Sequence, residues 1–454
     1  MPALVTWMNG QRVGTWSTGK SEASTFNYDP AWTNSEFFRA LSLSIPVTAD
    51  LEVRGANVTY YFDNLLPDNP DIRKRIGTRF NVRTDTFDLL TAIGRDCVGA
   101  VQLLPPDTTP EGWDQIRATI LNEAQVAAHL RGVVAQPGTF ARSEDPDKFR
   151  ISIAGAQEKS AFLGMGGRWF RPEGPTPTTH IMKLPLGVVA GGLDLNLSVE
   201  NEWLCSQFLA AIGLDVANTR IERFEDLTVL VVERFDRRWL GVQHAAVNKR
   251  GFSPTRSMHL VRLPQEDFCQ ALGLPLQKKY ENHGGPSIYS GLRLLSGSEH
   301  PAADRARFVL TQLMFWLLAA PDGHAKNFSI QHSVRGRYRL TPLYDVLSAW
   351  PLIGKGPKQL QYEKVSLAMA IRGKNSHYRL NSIQTRHWFE LAKSAGVQGL
   401  WERMIESVER APDAIASTES KLPKRFPEGV YAAIAKGISR HARQFLAGLK
   451  HLKV

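Results

Sequence analysis

The most constraining feature of the sequence is its most apolar run, residues 308–320, which is followed directly by a polar loop. Apolar side chains on every face of such a run predict a buried helix. Pro321 and Gly323 both disrupt helices, so the helix is expected to end here and expose a loop. Asp322 lies in this loop, Asn327 follows five residues later, and Asp345 follows residues 338–343, a short predicted strand.

These three side chains are the types that magnesium-dependent phosphoryl transfer requires. Oxygen ligands from Asn327 and Asp345 can hold the cation against phosphate groups, and a separate carboxylate, Asp322, can accept the proton of the attacking hydroxyl. An alternative interpretation is ordinary turn chemistry, in which Asp322 caps a turn and Asn327 accommodates a left-handed backbone. The rest of the chain favours the first interpretation.

Chain length bounds the number of domains, and the distribution of charge indicates the kind of binding partner. A chain of 454 residues is long enough for two or three domains. Of the formal net charge of +11, +10 lies in residues 346–454, where 18 Lys and Arg face eight Asp and Glu. This clustering predicts a surface for nucleic acid or an acidic partner, and the alternative is a set of solvated helix faces.

The cellular compartment is predicted from cysteine usage and from the absence of targeting signals. Cys97, Cys205 and Cys269 are widely spaced and have no metal-ligand spacing, so reduced thiols in a cytoplasmic protein are expected. The first fifteen residues lack a secretory pattern, and the longest apolar run is too short to span a bilayer.

The chain is predicted to have a strand-rich first half and a helical second half. Asn9-Gly10 between two alternating segments predicts a hairpin at the start. We expect three domains: a small α+β subdomain at 1–110, a nucleotide-binding lobe at 111–260 with a hinge at 233–238, and a helical lobe at 261–454 that carries the polar loop and the basic surface. Residues 240–259 are polar and predict a surface loop or a partly disordered insertion of unknown role.

Three further segments of the first half carry candidate nucleotide contacts. The small-residue turn of residues 154–159 can offer backbone N–H groups to phosphates. Lys183, at the end of an apolar strand, either neutralises a bound anion or extends its ammonium group to the surface. Backbone groups at 233–235 could meet an adenine ring, with Phe235 packing on it. The alternative is that Phe235 is core and that Asp236 and Arg237 form a surface pair.

The combination of motifs resembles the HipA toxin family, bacterial serine/threonine kinases of type II toxin–antitoxin modules. The resemblance covers nearly the full chain. It rests on Leu4-Val-Thr-Trp-Met-Asn-Gly-Gln-Arg-Val-Gly14, Phe62-Asp-Asn-Leu-Leu-Pro-Asp68, Phe149-Arg-Ile-Ser-Ile-Ala-Gly-Ala-Gln-Glu-Lys159, Thr178-Thr-His-Ile-Met-Lys-Leu-Pro185, Glu233-Arg-Phe-Asp-Arg-Arg-Trp239, Arg262-Leu-Pro-Gln-Glu-Asp267 and Asp322-Gly-His-Ala-Lys-Asn-Phe-Ser329. It implies an α+β, two-lobed kinase fold related to phosphatidylinositol 3/4-kinases, with a strand-rich N-terminal lobe and an all-α C-terminal lobe.

The resemblance also implies a role for each matching residue. Asp322 would be the catalytic base, and Asn327 and Asp345 would hold magnesium ions. Ser152 would be an autophosphorylation site that switches activity off, because phosphate adds about −2 charge beside the phosphate-binding turn. The residues expected to line the ATP site are Ala154, Gly155, Ala156, Gln157, Glu158, Lys159, Lys183, Glu233, Arg234, Phe235, His324, Ala325, Lys326, Asn327, Tyr344 and Asp345.

The same resemblance implies partners. The family joins a small helix-turn-helix antitoxin, HipB, bound to operator DNA, and Lys393 aligns with the DNA-contacting segment. Glutamyl-tRNA synthetase is the expected protein substrate, and no membrane partner is expected. Two competing functions remain: a non-catalytic DNA-binding corepressor, and a metal-dependent hydrolase or nuclease that uses Asp322, His324 and Asp345.

Overall fold

The chain divides into two compact units, each assembled from separate segments. The computed structural model describes residues 1–19, 24–134, 157, 159–189, 191–241 and 258–452. Unit 1 contains Met1–Leu184, Glu222–Leu276 and Ile330–Arg337, and unit 2 contains Pro185–Ile221, Gln277–Ser329 and Tyr338–Val454. The three predicted domains stay a prediction. Most of the 240–259 insertion lies outside the described residues.

The described residues form twelve α-helices, and several of these start at residues whose side chains cap the helix. Asn69 accepts a hydrogen bond from the Asp71 N–H, and Asp267 and Ser287 each form a capping box. Helices α1 to α12 span, in chain order, Pro30–Thr33, Ala56–Asp63, Pro70–Phe80, Thr86–Ile93, Glu123–Val134, Ser198–Ile212, Phe268–Ala271, Ile288–Leu295, Pro301–Leu317, Thr385–Ala395, Leu400–Ser417 and Glu428–Leu449.

Strands are concentrated in the first two thirds of the chain. Strands β1 to β20 span Ala3–Met8, Gln11–Thr18, Ser24–Tyr28, Glu52–Arg54, Gln102–Leu104, Ala118–Leu121, Lys159–Met165, Arg168–Pro172, His180–Lys183, Gly187–Val189, Leu193–Leu195, Thr219–Phe224, Leu227–Glu233, Arg237–Leu240, His259–Arg262, Gln265–Asp267, Ser329–His332, Tyr338–Leu340, Ser366–Arg372 and Ser376–Arg379.

The first sheet of unit 1 grows from the predicted hairpin. Strands β1 and β2 pair antiparallel across Asn9 and Gly10, whose φ values of 46° and 77° are those of a tight two-residue turn, so this prediction is confirmed. The sheet order is β4-β3-β2-β1-β5. Trp16 stacks on Phe62 of α2 with ring centroids 4.1 Å apart, and this pair lies at the centre of a buried apolar core.

The second sheet of unit 1 has the strand order β12-β13-β9-β7-β8-β6. Strand β9 lies between β7 and β13, and both pairings are antiparallel. Phe162, Met182, Val229 and Val231 from these strands pack with Val126 of α5 in a buried core. The burial fixes the register, because a one-residue slip would turn the apolar side chains to the opposite face.

Unit 2 is built around α9. Its side chains are buried along most of its length, as the apolar run predicts, although the helix ends at Leu317 rather than at residue 320. Ala319 has a left-handed backbone, with a φ of 49°, and the Ala320 N–H donates to the Phe315 carbonyl at 2.8 Å, so a C-terminal cap ends the helix before Pro321. The Trp316 ring stacks on His441 of α12 at 4.2 Å, and His441 also bonds the Tyr362 hydroxyl at 2.8 Å.

The α+β fold class is confirmed, with one correction. The C-terminal lobe is not entirely helical, because strands β17 and β18 and the β19–β20 hairpin lie in it. Strand β19 is a nearly continuous apolar run, Ser366–Arg372, and such a short run cannot be distinguished from a buried helical segment by periodicity. No helix among the described residues is both long and apolar enough to cross a bilayer.

Candidate active site

The predicted loop after α9 forms a tight turn within unit 2. The His324 N–H donates to the Asp322 carbonyl at 2.8 Å, and a short 3₁₀ helix, Ala325–Asn327, follows. Gly323 is required by close approach, because a Cβ placed there would lie 2.3 Å from the Phe315 ring. The side chains of His324 and Lys326 are largely buried, as is Ala325. Burial of so much polar structure fixes the loop in one conformation.

Asn327 links the two acidic residues of the predicted site. Its Nδ2 donates to the Asp322 carbonyl at 2.7 Å and lies 3.5 Å from the Asp345 carbonyl. Residues separated by up to 23 positions in sequence therefore meet at one amide. Because the amide nitrogen faces these carbonyls, Oδ1 is the Asn327 atom suited to bind a cation.

Asp345 occupies a strained backbone conformation. Its φ of 61° lies in the left-handed region, which costs a non-glycine residue about 1–2 kcal/mol. The flanking segment holds it there, since the Leu343 N–H donates to the Asp215 carbonyl at 2.9 Å and Asn201 exchanges two hydrogen bonds with the Ser348 backbone. Strain retained by this many contacts is typical of functional positions.

The donor set of Asn327 and Asp345 fits magnesium. Mg²⁺ binds carboxylate and amide oxygens and is usually completed by substrate phosphates and water. In the part of the chain that the structure describes, no three His, Cys, Asp or Glu side chains converge as a metal site. A magnesium ion here would therefore depend on Asn327, Asp345 and phosphate oxygens.

Asp322 presents its carboxylate at the surface of the loop. The side chain is 51 % exposed, and its Oδ1 accepts a hydrogen bond from the Tyr280 hydroxyl. His324 Nε2 lies 3.7 Å from the same oxygen. An accessible carboxylate with one oxygen held by a neighbour can accept a proton at the other, as a general base must.

Tyr344 supports the loop from within. Its hydroxyl lies 2.6 Å from the Ser329 hydroxyl and donates to the Lys326 carbonyl at 2.9 Å. The described contacts therefore give Tyr344 a role in holding the backbone beside Asn327. A further contribution to nucleotide binding stays a prediction.

Unit 1 contains a pair of adjacent lysines. Lys159 of β7 lies directly opposite Lys183 of β9, so both side chains project from the same face of the sheet. Lys183 is 5 % exposed, and Gln157 lies close by, donating from Nε2 to the Leu184 carbonyl at 2.6 Å. Two ammonium groups on one face of a sheet give it a positive charge of the kind that attracts phosphate oxygens.

The predicted hinge contains a buried ion network. The Arg234 and Arg237 guanidinium groups and that of Arg262 surround the carboxylates of Asp96 and Asp236, with side-chain exposures between 1 and 7 %. The interpretation of Asp236 and Arg237 as a surface pair is therefore wrong. Arg234 also donates its backbone N–H to the Thr179 carbonyl at 2.8 Å, so both its side chain and its N–H have partners within the protein. Any nucleotide contact from Arg234 would have to use other backbone atoms.

The remaining predicted residues are placed as follows. Glu233 is exposed at the end of β13, and Phe235 is partly buried after it. Lys393 is exposed in the last turn of α10. Ser152, Ala154, Gly155, Ala156 and Glu158 lie outside the described residues.

Sequence comparison relates both halves of the chain to one family. Residues 4–104 match the HipA N-terminal domain, and residues 151–415 match the HipA-like C-terminal domain. A Sinorhizobium fredii protein, Y4mE, whose name describes it as a kinase, is 32% identical over 91% of this chain and 91% of its own length. The serine/threonine-protein kinase toxin HipA of Shewanella oneidensis is 28% identical over 88% of this chain and 86% of its own.

Structural comparison agrees on the fold. HipA of Shewanella oneidensis MR-1, solved with HipB and its operator DNA, matches with a TM-score of 0.78 at 23% identity. The match covers 99% of this chain and 100% of that one. On the two domain matches and the identity to Y4mE over most of both chains, this protein belongs to the HipA family of serine/threonine-protein kinase toxins.

Proposed function

We propose that the chain transfers the γ-phosphate of ATP to a serine of another protein and thereby acts as the growth-arresting toxin of a toxin–antitoxin pair. The observation that carries this proposal is the Asn327 amide, which brings the predicted base Asp322 and the predicted cation ligand Asp345 together. The Lys159–Lys183 pair supplies the positive charge that ATP phosphates require.

In this reaction the chain's own residues position the reactants and move one proton. Asp322 accepts the proton of the substrate serine hydroxyl while the serine oxygen forms a bond to the γ-phosphorus. The bond between the γ-phosphorus and the β–γ bridging oxygen breaks at the same time, and ADP is released. Lys159 and Lys183 neutralise phosphate oxygens, while Glu233 and Phe235 provide the adenine contacts. Magnesium, held by Asn327 and Asp345, would offset the charge that develops on the phosphates.

Phosphate transfer from labelled ATP tests the proposal. With magnesium present, we expect label in the chain itself, located at Ser152 by peptide mapping, and in a protein serine supplied in trans. Ser152→Ala is the control and should remove the label from the chain but not from the substrate.

A folded, unphosphorylated protein that incorporates no label anywhere, yet still binds operator DNA with an antitoxin, would identify a non-catalytic corepressor. Nucleic-acid cleavage without ATP would instead identify the hydrolase.

The partners follow from the same assignment. A relative in this family has been solved with HipB and operator DNA. We propose that this chain binds a HipB-like helix-turn-helix antitoxin on operator DNA, represses its operon with it, and acts in the cytoplasm. Glutamyl-tRNA synthetase is the proposed substrate. The excess of +10 in residues 346–454 supports a DNA-facing surface on the helical lobe.

The affinity of the chain–antitoxin complex for operator DNA should fall steeply with salt, because each phosphate contact releases a counterion. Lys393→Ala should reduce the slope of log affinity against log salt by about 1 if Lys393 contacts one phosphate. Fluorescence anisotropy across a salt series measures both values. Lys74→Ala, which removes an exposed lysine of α3, is the matched control. A slope that is unchanged by Lys393→Ala would place the DNA contact elsewhere.

A further inference from the structure

Tyr280 directly contacts the proposed base. It lies 42 positions before Asp322 in sequence, and its hydroxyl donates a hydrogen bond to Asp322 Oδ1. Its ring also packs against the His324 ring in a T-shaped arrangement, with ring centroids 4.9 Å apart and an interplanar angle of 88°. Tyr280 therefore contacts two side chains of the loop, one through its hydroxyl and one through its ring.

The segment around Tyr280 is fixed on both sides. Before it, the Lys279 carbonyl accepts a hydrogen bond from the Ala325 N–H at 3.1 Å, inside the catalytic loop. After it, the Glu281 carboxylate accepts from the Ala370 N–H at 2.7 Å and from Arg372 at 2.8 Å, with its side chain 6 % exposed. A buried carboxylate with two partners is a strong anchor, so Tyr280 has little freedom to move away from Asp322.

The turn that follows also depends on a close approach of backbone atoms. The Gly285 N–H donates to the Tyr280 carbonyl at 2.9 Å, and a Cβ at Gly285 would lie 2.2 Å from the Lys278 carbonyl oxygen. Only glycine fits such a turn. The Gly284-Gly285-Pro286 break in the sequence thus shapes the segment that presents Tyr280.

We propose that Tyr280 is a positioning residue for Asp322, an inference that rests on the proposed kinase function. By holding Oδ1, the phenol fixes the rotamer of a half-exposed carboxylate and leaves Oδ2 to accept the proton of the substrate hydroxyl. A rotating carboxylate would meet that hydroxyl in the wrong geometry for much of the time. Orientation of this kind contributes to the rate and not to nucleotide binding.

Tyr280→Phe removes the hydroxyl and keeps the ring against His324. We expect kcat for phosphoryl transfer to a protein substrate to fall about 10- to 100-fold, since small displacements of a reacting group have effects of this size. The KM for ATP and the melting temperature should stay at wild-type values. Tyr431→Phe is the matched control, because it removes a phenol of α12 that lies beside another carboxylate, that of Glu419.

A second variant tests the same assignment without altering the tyrosine. Glu281→Gln weakens the anchor to Arg372 and should give a smaller decrease in kcat, again with an unchanged KM for ATP. In the Asp322→Asn background, Tyr280→Phe should have little further effect, because the residue that it positions can no longer accept a proton.

The possible results separate the two proposals. If Tyr280→Phe keeps wild-type kcat, or if it weakens ATP binding as much as it slows turnover, the positioning role is wrong while the kinase assignment stands. If the wild-type chain transfers no phosphate, the kinase assignment itself fails, and the role of Tyr280 fails with it. If Asp322→Asn remains fully active, another group accepts the proton, and the role of Tyr280 fails while the kinase assignment stands.

Discussion

Asp322→Asn should lower kcat for phosphoryl transfer by about 10²- to 10⁴-fold, the usual contribution of a general base. Asparagine keeps the shape of the side chain and can still accept the Tyr280 hydrogen bond, but it cannot take up the serine proton. Since the Asn327 amide bonds the backbone carbonyl of residue 322 rather than its side chain, the loop should keep its structure. Steady-state rates with labelled ATP measure the effect.

The control for this variant is a carboxylate that lies away from the loop. Asp413→Asn changes an exposed residue of α11 and should leave kcat unchanged. The KM for ATP should also stay near the wild-type value in Asp322→Asn, because the base acts on the hydroxyl and not on the nucleotide. A variant with normal turnover would show that another group accepts the proton.

The polar loop after α9 could be predicted from the sequence because its determinants are local. A buried apolar helix, a helix-breaking Pro321 and the short spacing from Asp322 to Asn327 together define a polar loop with carboxylate and amide groups. The hairpin at Asn9-Gly10 could be predicted for the same reason, because a type I′ turn needs positive φ at both of its central residues and Asn and Gly accept this conformation. Structure that depends on interactions between residues close in sequence can be recognised from a single sequence.

Tyr280 was missed because its partner is distant in sequence. The Gly284-Gly285-Pro286 break indicates a turn, but nothing in it shows that the preceding tyrosine reaches Asp322. Pairings across the chain are set by the fold rather than by local pattern. The available signal was a tyrosine four residues before a glycine-rich break.

The ion network was misinterpreted for a related reason. Charged residues in sequence usually indicate a solvated surface, so a surface pair is the alternative that the sequence suggests for Asp236 and Arg237. Arg237 pairs with Asp96, and Asp96 in turn pairs with Arg262. Both lie more than twenty residues away in sequence, and only together do these side chains balance enough charge to be buried. The unusual density of charges directly after the apolar strand β13 was the signal that could have been used.

Burial of this network has a clear electrostatic consequence. Burial alone would raise the pKa of Asp96, but Arg237, Arg262 and Arg234 hold it well below the ordinary value. The pKa of Asp236 is lowered in the same way by Arg234 and Arg237. Groups whose pKa is depressed on folding stabilise the protein above the unfolded-state pKa, about 4, and this stabilisation is lost as the pH falls below that value.

Asp96→Asn should lower the free energy of unfolding by about 3–5 kcal/mol, because it leaves buried guanidinium groups without a carboxylate. Urea unfolding at pH 7 measures the loss. The difference between variant and wild type should shrink below about pH 4, because Asp96 becomes protonated in the unfolded wild type while the folded state, with its lowered pKa, must keep the carboxylate ionised. Glu406→Gln is the matched control: it breaks an exposed pair with Arg410 and should change stability by less than about 1 kcal/mol. Equal effects from the two variants would mean that the Asp96 network contributes no more than a surface ion pair.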